Sequence, residues 1–202
     1  MNIRLLPALL ATAASLLFAG CLPESKNPLS TPKTSMVDVR LDGLYVPRRQ
    51  NRNDDLEAMH FHYRGMRVNG QTRMTPQLEV LGVTHEKNGD LKTHSYRVLT
   101  THIGTLDYMS IQDMDKNGDK TVYNLARYEI SLGDTLRIWF LNADAAADAI
   151  HAGKLHGTVK KGKYTTDVTI TDSTERLAAF VKAGDTAKLF EGKPMTLYRL
   201  TR

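Results

Sequence analysis

The chain predicts a mainly β fold: an antiparallel barrel of about eight strands, with two short helices in the C-terminal third. Three observations predict it. Short runs of alternating apolar and polar residues follow one another from Leu41 to Leu141, which is the period-two pattern of half-buried strands. The runs are separated by Lys87-Asn88-Gly89-Asp90, by a loop containing Asn117-Gly118 and by Leu132-Gly133-Asp134; Asn-Gly between alternating runs marks hairpins, hence antiparallel neighbours. The one cysteine, Cys21, stands ahead of these runs, so burial rather than a disulfide must stabilise the fold. About eight strands close into a small barrel whose interior is filled by side chains or holds one ligand.

The elements follow in order. Leu41 to Val46 opens the domain, and Arg48 to Asp55 is a polar loop. Leu56 to Tyr63 places Met59, Phe61 and Tyr63 on one face and Ala58, His60 and His62 on the other. Leu78 to His85 and Leu91 to Thr101 form a hairpin, and Leu106 to Gln112 and Thr121 to Ser131 form the next. Thr135 to Leu141 is the most apolar of the strands, as expected of a central or barrel-closing one. Its Leu136, Ile138 and Phe140, with Met59, Phe61 and Tyr63, are the candidate interior residues, as packed core or as the wall of an apolar cavity.

Asn142 can cap a helix running through Ile150 and stopped at Gly153. Thr166 to Thr171 is a strand. Asp172 and Glu175 make a capping-box-like start for a second helix, whose Leu177, Phe180 and Val181 share a face and which Gly184 ends. Leu189 and Phe190 then plug one end of the core or line a mouth, and Thr196 to Leu200 is the last strand.

Ahead of the domain, Arg4 precedes an apolar stretch from Leu5 to Phe18, followed by Ala19-Gly20-Cys21. A basic start, a short apolar middle and small residues at a cut site describe a secretory signal peptide, too short to span a bilayer comfortably. The sole thiol directly after Ala19-Gly20 resembles a bacterial lipobox. That resemblance implies cleavage before Cys21, a diacylglycerol on its sulfur and a further acyl chain, with no other cofactor. It implies an envelope protein anchored in the outer membrane and facing the periplasm. The expected organisation is a signal at 1–20, a lipidated tether at 21–36, and one domain at 37–202. The stretch from Leu22 to Ser35 holds Pro23, Pro28 and Pro32 among polar residues, the composition of a linker.

Lys and Arg total 27 against 22 Asp and Glu, and losing Arg4 with the signal leaves 26 against 22. This small, interspersed excess does not make the clustered basic face of a nucleic-acid binder.

Gly43-Leu44-Tyr45 on the first domain strand and Arg199 on the last resemble the ends of a lipocalin, where Gly-x-Trp and an Arg stack across the closed bottom of the barrel. The resemblance implies a lipocalin-like (calycin-type) barrel closed by Gly43, Tyr45 and Arg199, with tyrosine in the tryptophan's place. Two late helices and the lack of a disulfide depart from that family's pattern.

Few residues suggest chemistry. Asp113, Asp115, Asn117 and Asp119 alternate around Gly118 like half of a calcium loop, but Asn124 stands where the bidentate Glu belongs. His60 and His62 share a strand face, and zinc needs a third ligand. No Gly-x-Ser-x-Gly elbow occurs, and the one cysteine is assigned to the anchor. Lys160, Lys161 and Lys163 around Gly162 make a basic turn able to touch anionic lipid or to guard a strand edge. The expected function is therefore non-enzymatic. A membrane-anchored lipoprotein would present a small barrel that binds an apolar ligand or an envelope protein, or is structural. The alternative is an envelope hydrolase acting on lipid or cell-wall glycan.

Overall fold

The computed structural model describes residues 22–48, 55–68, 71–115, 121–131, 134–162 and 165–200. Among them, eleven strands form one continuous sheet. They are β1 (Glu24–Ser25), β2 (Gly43–Pro47), β3 (Leu56–Val68), β4 (Gln71–His85), β5 (Leu91–Ile103), β6 (Leu106–Asp113), β7 (Tyr123–Ser131), β8 (Thr135–Phe140), β9 (Gly157–Lys161), β10 (Thr166–Ile170) and β11 (Met195–Arg199). The helices are α1 (Ala143–His151), α2 (Thr174–Ala183) and α3 (Thr186–Leu189), with a 3-10 turn at Val39–Leu41.

Eight strands close a barrel. β2 to β8 run as an antiparallel meander, and β11 pairs with β8 on one side and β2 on the other. The expected barrel of about eight antiparallel strands is what the structure holds. Inward residues alternate as the sequence indicates: Met59, Phe61, Tyr63, Leu136 and Ile138 are buried, and Phe140 packs half-buried against the same core.

The two ends of the barrel differ. The β5–β6 turn, the β7–β8 turn, the 3-10 turn and the end of β11 gather at one end, which Leu41 plugs with no exposed surface. The connections after β4, β6 and β8 gather at the other.

A second layer covers the outside of β6 to β8. β1 pairs antiparallel with the start of β7 and parallel with β10, extending the sheet beyond the barrel through β10 and β9. On this extension and on the outer wall rest Ala146 of α1, Leu177 and Val181 of α2, and Leu189 and Phe190, which meet Tyr108 and Leu125 in a core of their own. The Phe190 ring lies 5.5 Å from that of Tyr108, so these two residues seal the second layer rather than an end of the barrel. On the same outer wall the Arg127 guanidinium sits 4.1 Å over the Trp139 ring, across the β7–β8 pair.

Three expectations are corrected. The segment 22–36 is not a free tether. Its Ser25, Leu29 and Ser30 are buried. The Leu29 amide donates to Ser110 Oγ at 2.9 Å, Ser35 Oγ to the Thr100 carbonyl at 3.0 Å, and Met36 bridges to Thr100. It is a strap across the outer wall, because one leucine and a row of small hydroxyl residues suffice to match the wall's apolar and polar groups. Among the described residues, packing against the domain therefore already includes the segment ahead of Val37. There are three helices among the described residues rather than two, since Asp185 caps α3 through the Ala187 amide at 3.1 Å. Finally, Ser173 rather than Asp172 caps α2, because Asp172 is taken by a buried contact. Its carboxylate, almost fully buried, accepts from the His156 amide at 2.6 Å, His156 Nδ1 at 2.8 Å and Arg176 Nε at 3.0 Å. The expected stops of the helices hold: Asn142 caps α1, Gly153 follows it at φ 68°, and Gly184 ends α2.

Candidate functional site

Among the described residues, four places stand out for buried polar groups or open space: the closed end, the barrel interior, the open-end cleft and a hollow between α1 and α2.

The closed end is a chain of polar contacts running from Arg199 to His102. β11 and β2 put Arg199 opposite Tyr45. The guanidinium carbon lies 5.2 Å from the Tyr45 ring centre, and Nη2 donates to the phenol oxygen at 2.7 Å. Tyr45 packs edge-on against Phe61, with ring centres 5.3 Å apart. The Arg40 carbonyl accepts from both Tyr45 Oη, at 2.9 Å, and Arg199 Nη2. Gly43 adopts φ 153°, and a Cβ there would come within 3.4 Å of Arg199 Nη1, so the guanidinium and the backbone both favour glycine. A tryptophan at position 45 would offer a stronger face to a cation but no hydroxyl to bond it. Here the tyrosine hydroxyl ties the arginine to the 3-10 turn.

That turn carries the next link. Buried Asp38 receives Arg40 Nε at 2.8 Å and the Arg40 amide at 3.1 Å on Oδ1; Arg40 Nη2 at 2.6 Å and Tyr128 Oη at 2.7 Å reach Oδ2. The Asp38 amide donates to Tyr63 Oη at 2.9 Å. Arg40 Nη2 also reaches Asp107 Oδ2 at 2.8 Å, and His102 Nδ1 lies 2.8 Å from Asp107 Oδ1. Burial by itself would raise the Asp38 carboxyl, but its bonds from Arg40 and Tyr128 outweigh that and hold it below the ordinary aspartate value. Burial, and then the anionic partner, drive the Tyr128 phenol far above its usual range. An ionised carboxylate with four donors is a lock between strands and turn, and its lone pairs are committed to holding the plug.

Among the described residues, the interior side chains form one packed cluster. Among Met59, Phe61, Val98, Ile138 and Phe140, a space of about 20 Å³ remains, little more than the ~10–15 Å³ that one water needs. Ligand pockets run to about 300–1,000 Å³.

The open-end cleft holds about 340 Å³ between the barrel mouth and the sheet extension. Tyr96 and Ile111 form its floor, and Leu22, Asp113, Lys160 and Asp167 stand on its walls. Burial, reinforced by Asp113 and Asp115, pushes the Tyr96 phenol up to about 12. A second, more open hollow of about 580 Å³ lies between α1 and α2, lined by Ala149, Phe180 and Leu189.

The remaining sequence candidates are dispersed. Asp113 and Asp115 serve the turn after β6: Asp113 Oδ1 accepts the Asp115 amide at 2.9 Å, and Asp115 Oδ2 the Ser95 amide at 3.1 Å. Asn117 and Asp119 lie outside the described residues, as do Cys21 and Lys163. His60 and His62 are exposed and stacked, 5.9 Å apart, and Asp42 Oδ1 lies 3.4 Å from His62 Nδ1. Among the described residues, no group of three or more His, Cys, Asp or Glu is placed to hold a metal. Asp38, Arg40 and Tyr128 escaped the sequence reading because Tyr128 lies 90 residues from Asp38 and Asp107 lies 67 from Arg40; Asp172 was read only as a helix cap.

The closure makes a direct prediction. Arg199→Ala is expected to lower stability by about 2 kcal/mol, through the lost cation–π contact and a charge-assisted hydrogen bond. For a domain of this size that is roughly a 5 °C drop in melting temperature. Equal melting temperatures would show that the closure contributes nothing.

Comparisons with protein-family models, with curated proteins and with solved structures find no match to this chain.

Proposed function

We propose that this chain is an envelope lipoprotein, anchored through acyl chains on Cys21 in the outer membrane and facing the periplasm. Its lipocalin-like barrel is a rigid platform for a protein partner or a structural element, rather than a carrier of a small apolar ligand. The observation that carries the choice is the filled interior: about 20 Å³ among Phe61, Ile138 and their neighbours accepts no lipid or other small apolar molecule. Supporting it, Asp38 and Asp172 each have their carboxylate oxygens committed to donors within the fold. The anchor part of the reading rests on Arg4, the apolar run to Phe18 and the sole thiol after Ala19-Gly20.

Native mass spectrometry of the protein purified from membranes tests the platform reading. The expected mass is the chain from Cys21 to Arg202 plus its covalent acyl groups. A stoichiometric small molecule released only on unfolding would overturn it in favour of a ligand carrier.

A further inference from the structure

We propose that the β9–β10 hairpin is a membrane-contacting surface that takes the anionic headgroups of the bilayer beside the Cys21 anchor. The proposal rests on the anchor reading given above and adds an orientation to it.

The register carries the argument. β1 runs parallel to β10, with Glu24 opposite Thr169 and Ser25 opposite Ile170. Continued two residues back, this register brings Leu22 level with Asp167, and the two line the same cleft together with Lys160. Across the β9–β10 hairpin, Lys160 faces Asp167 and Lys161 faces Thr166. Neighbouring strands lie ~4.8 Å apart, so both lysines stand about two strand spacings from the start of the described chain. Cys21 precedes Leu22 by one peptide unit, ~3.8 Å between Cα atoms.

There is no slack to move the hairpin away. Lys26 donates its amide to the Ile170 carbonyl at 2.9 Å, Asn27 Nδ2 to the Asp172 carbonyl at 2.9 Å, and Leu29 is buried. A lipid attached one residue before Leu22 therefore holds this hairpin at the headgroup layer. The hairpin suits that position. Lys160 and Lys161 are exposed, and neither has an ion-pair partner among the described residues. Asp167 is the carboxylate opposite Lys160 in the register, and Glu24 and Asp113 line the cleft that Lys160 borders. Each lysine near an anionic surface favours contact by about fivefold. The polar closed end, with Arg199 and the exposed Leu200, then points elsewhere.

The sole native cysteine is consumed by acylation, so single introduced cysteines report position. Full-length protein carrying a fluorophore at Thr165→Cys or at Leu200→Cys would be made in a lipoprotein-processing host. It would then be reconstituted into vesicles of phosphatidylcholine, with or without phosphatidylglycerol, that contain a headgroup nitroxide lipid. Quenching at position 165 is expected to exceed that at position 200 several-fold. It should rise with phosphatidylglycerol, and fall in 1 M salt, where screening shortens to about 3 Å. Adding K160E and K161E should bring it down to the Leu200→Cys level without changing the melting temperature.

Equal quenching at the two sites, or indifference to anionic lipid, overturns the proposal; a hairpin left in water would point to a protein partner there. The anchor reading fails by a different sign. If the N-terminal peptide shows no diacylglycerol by mass spectrometry, the anchor reading falls and this proposal with it.

Discussion

Cys21→Ser is expected to abolish acylation and remove the processed protein from the membrane fraction. It should appear instead as an unprocessed precursor or in soluble material. A serine hydroxyl cannot form the thioether to diacylglycerol, and Cys21 is the only thiol in the chain. The effect should be near complete, because a single acyl chain binds a membrane only marginally and stable anchoring needs several. Metabolic palmitate labelling with membrane fractionation measures it. A processed, unlabelled protein that stays in the membrane would overturn the anchor. The variant should also leave folding intact. The strap from Leu22 is held by Leu29, Ser30 and Ser35 against β5 and β6, none of which depends on the lipid.

The largest expected loss of stability comes from Asp38→Ala. It removes the acceptor for Tyr128 Oη, which then has no partner in the buried closed end, and it strips Arg40 of its inner carboxylate. Breaking a buried ion pair costs ~3–5 kcal/mol. Arg40 is about half exposed and keeps Asp107, which moderates the figure to about 3 kcal/mol, a large share of an ordinary domain's net stability. The effect depends on pH with a definite sign. The folded-state value of Asp38 lies below its unfolded one. Its contribution is therefore fully present above the unfolded value, ~3.9, and is lost as pH falls through the lowered folded value. Urea titrations should show the full gap between wild type and Asp38→Ala at pH 7 and a smaller gap well below pH 4. A gap that is constant with pH would mean that the charge on Asp38 is immaterial. A double-mutant cycle with Tyr128→Phe should show coupling, since the two changes remove one shared bond.

How far the fold was legible in the sequence depended on how local its signals are. The strand meander from β2 to β8 rests on period-two alternation and short turns, which a single stretch of chain displays. Spacing put Met59, Phe61 and Tyr63 on one face and His60 and His62 on the other, and the apolar character of the first set marked it as the inside. Asn142, Gly153 and Gly184 announced helix ends for the same reason. The strap failed to announce itself. Pro23, Pro28 and Pro32 among serines and threonines have the composition of a linker, and what holds them down is a wall more than sixty residues distant. Asp172 likewise read as a cap, because its acceptance of His156 depends on where the start of β9 arrives.

The sequence by itself determined an antiparallel barrel, its inward faces and a lone thiol behind a signal-like segment, which follow from local periodicity and from residue chemistry; the pairing of Gly43 and Tyr45 with Arg199 was legible only through the resemblance to lipocalin ends. Only the tertiary structure decided that little space remains among Phe61, Ile138 and their described neighbours, that Asp38 locks the plug, and that residues 22–36 bind the domain instead of leading to it. Each of these is a volume or a distance between segments remote in sequence, set by how side chains fit together rather than by any pattern along the chain.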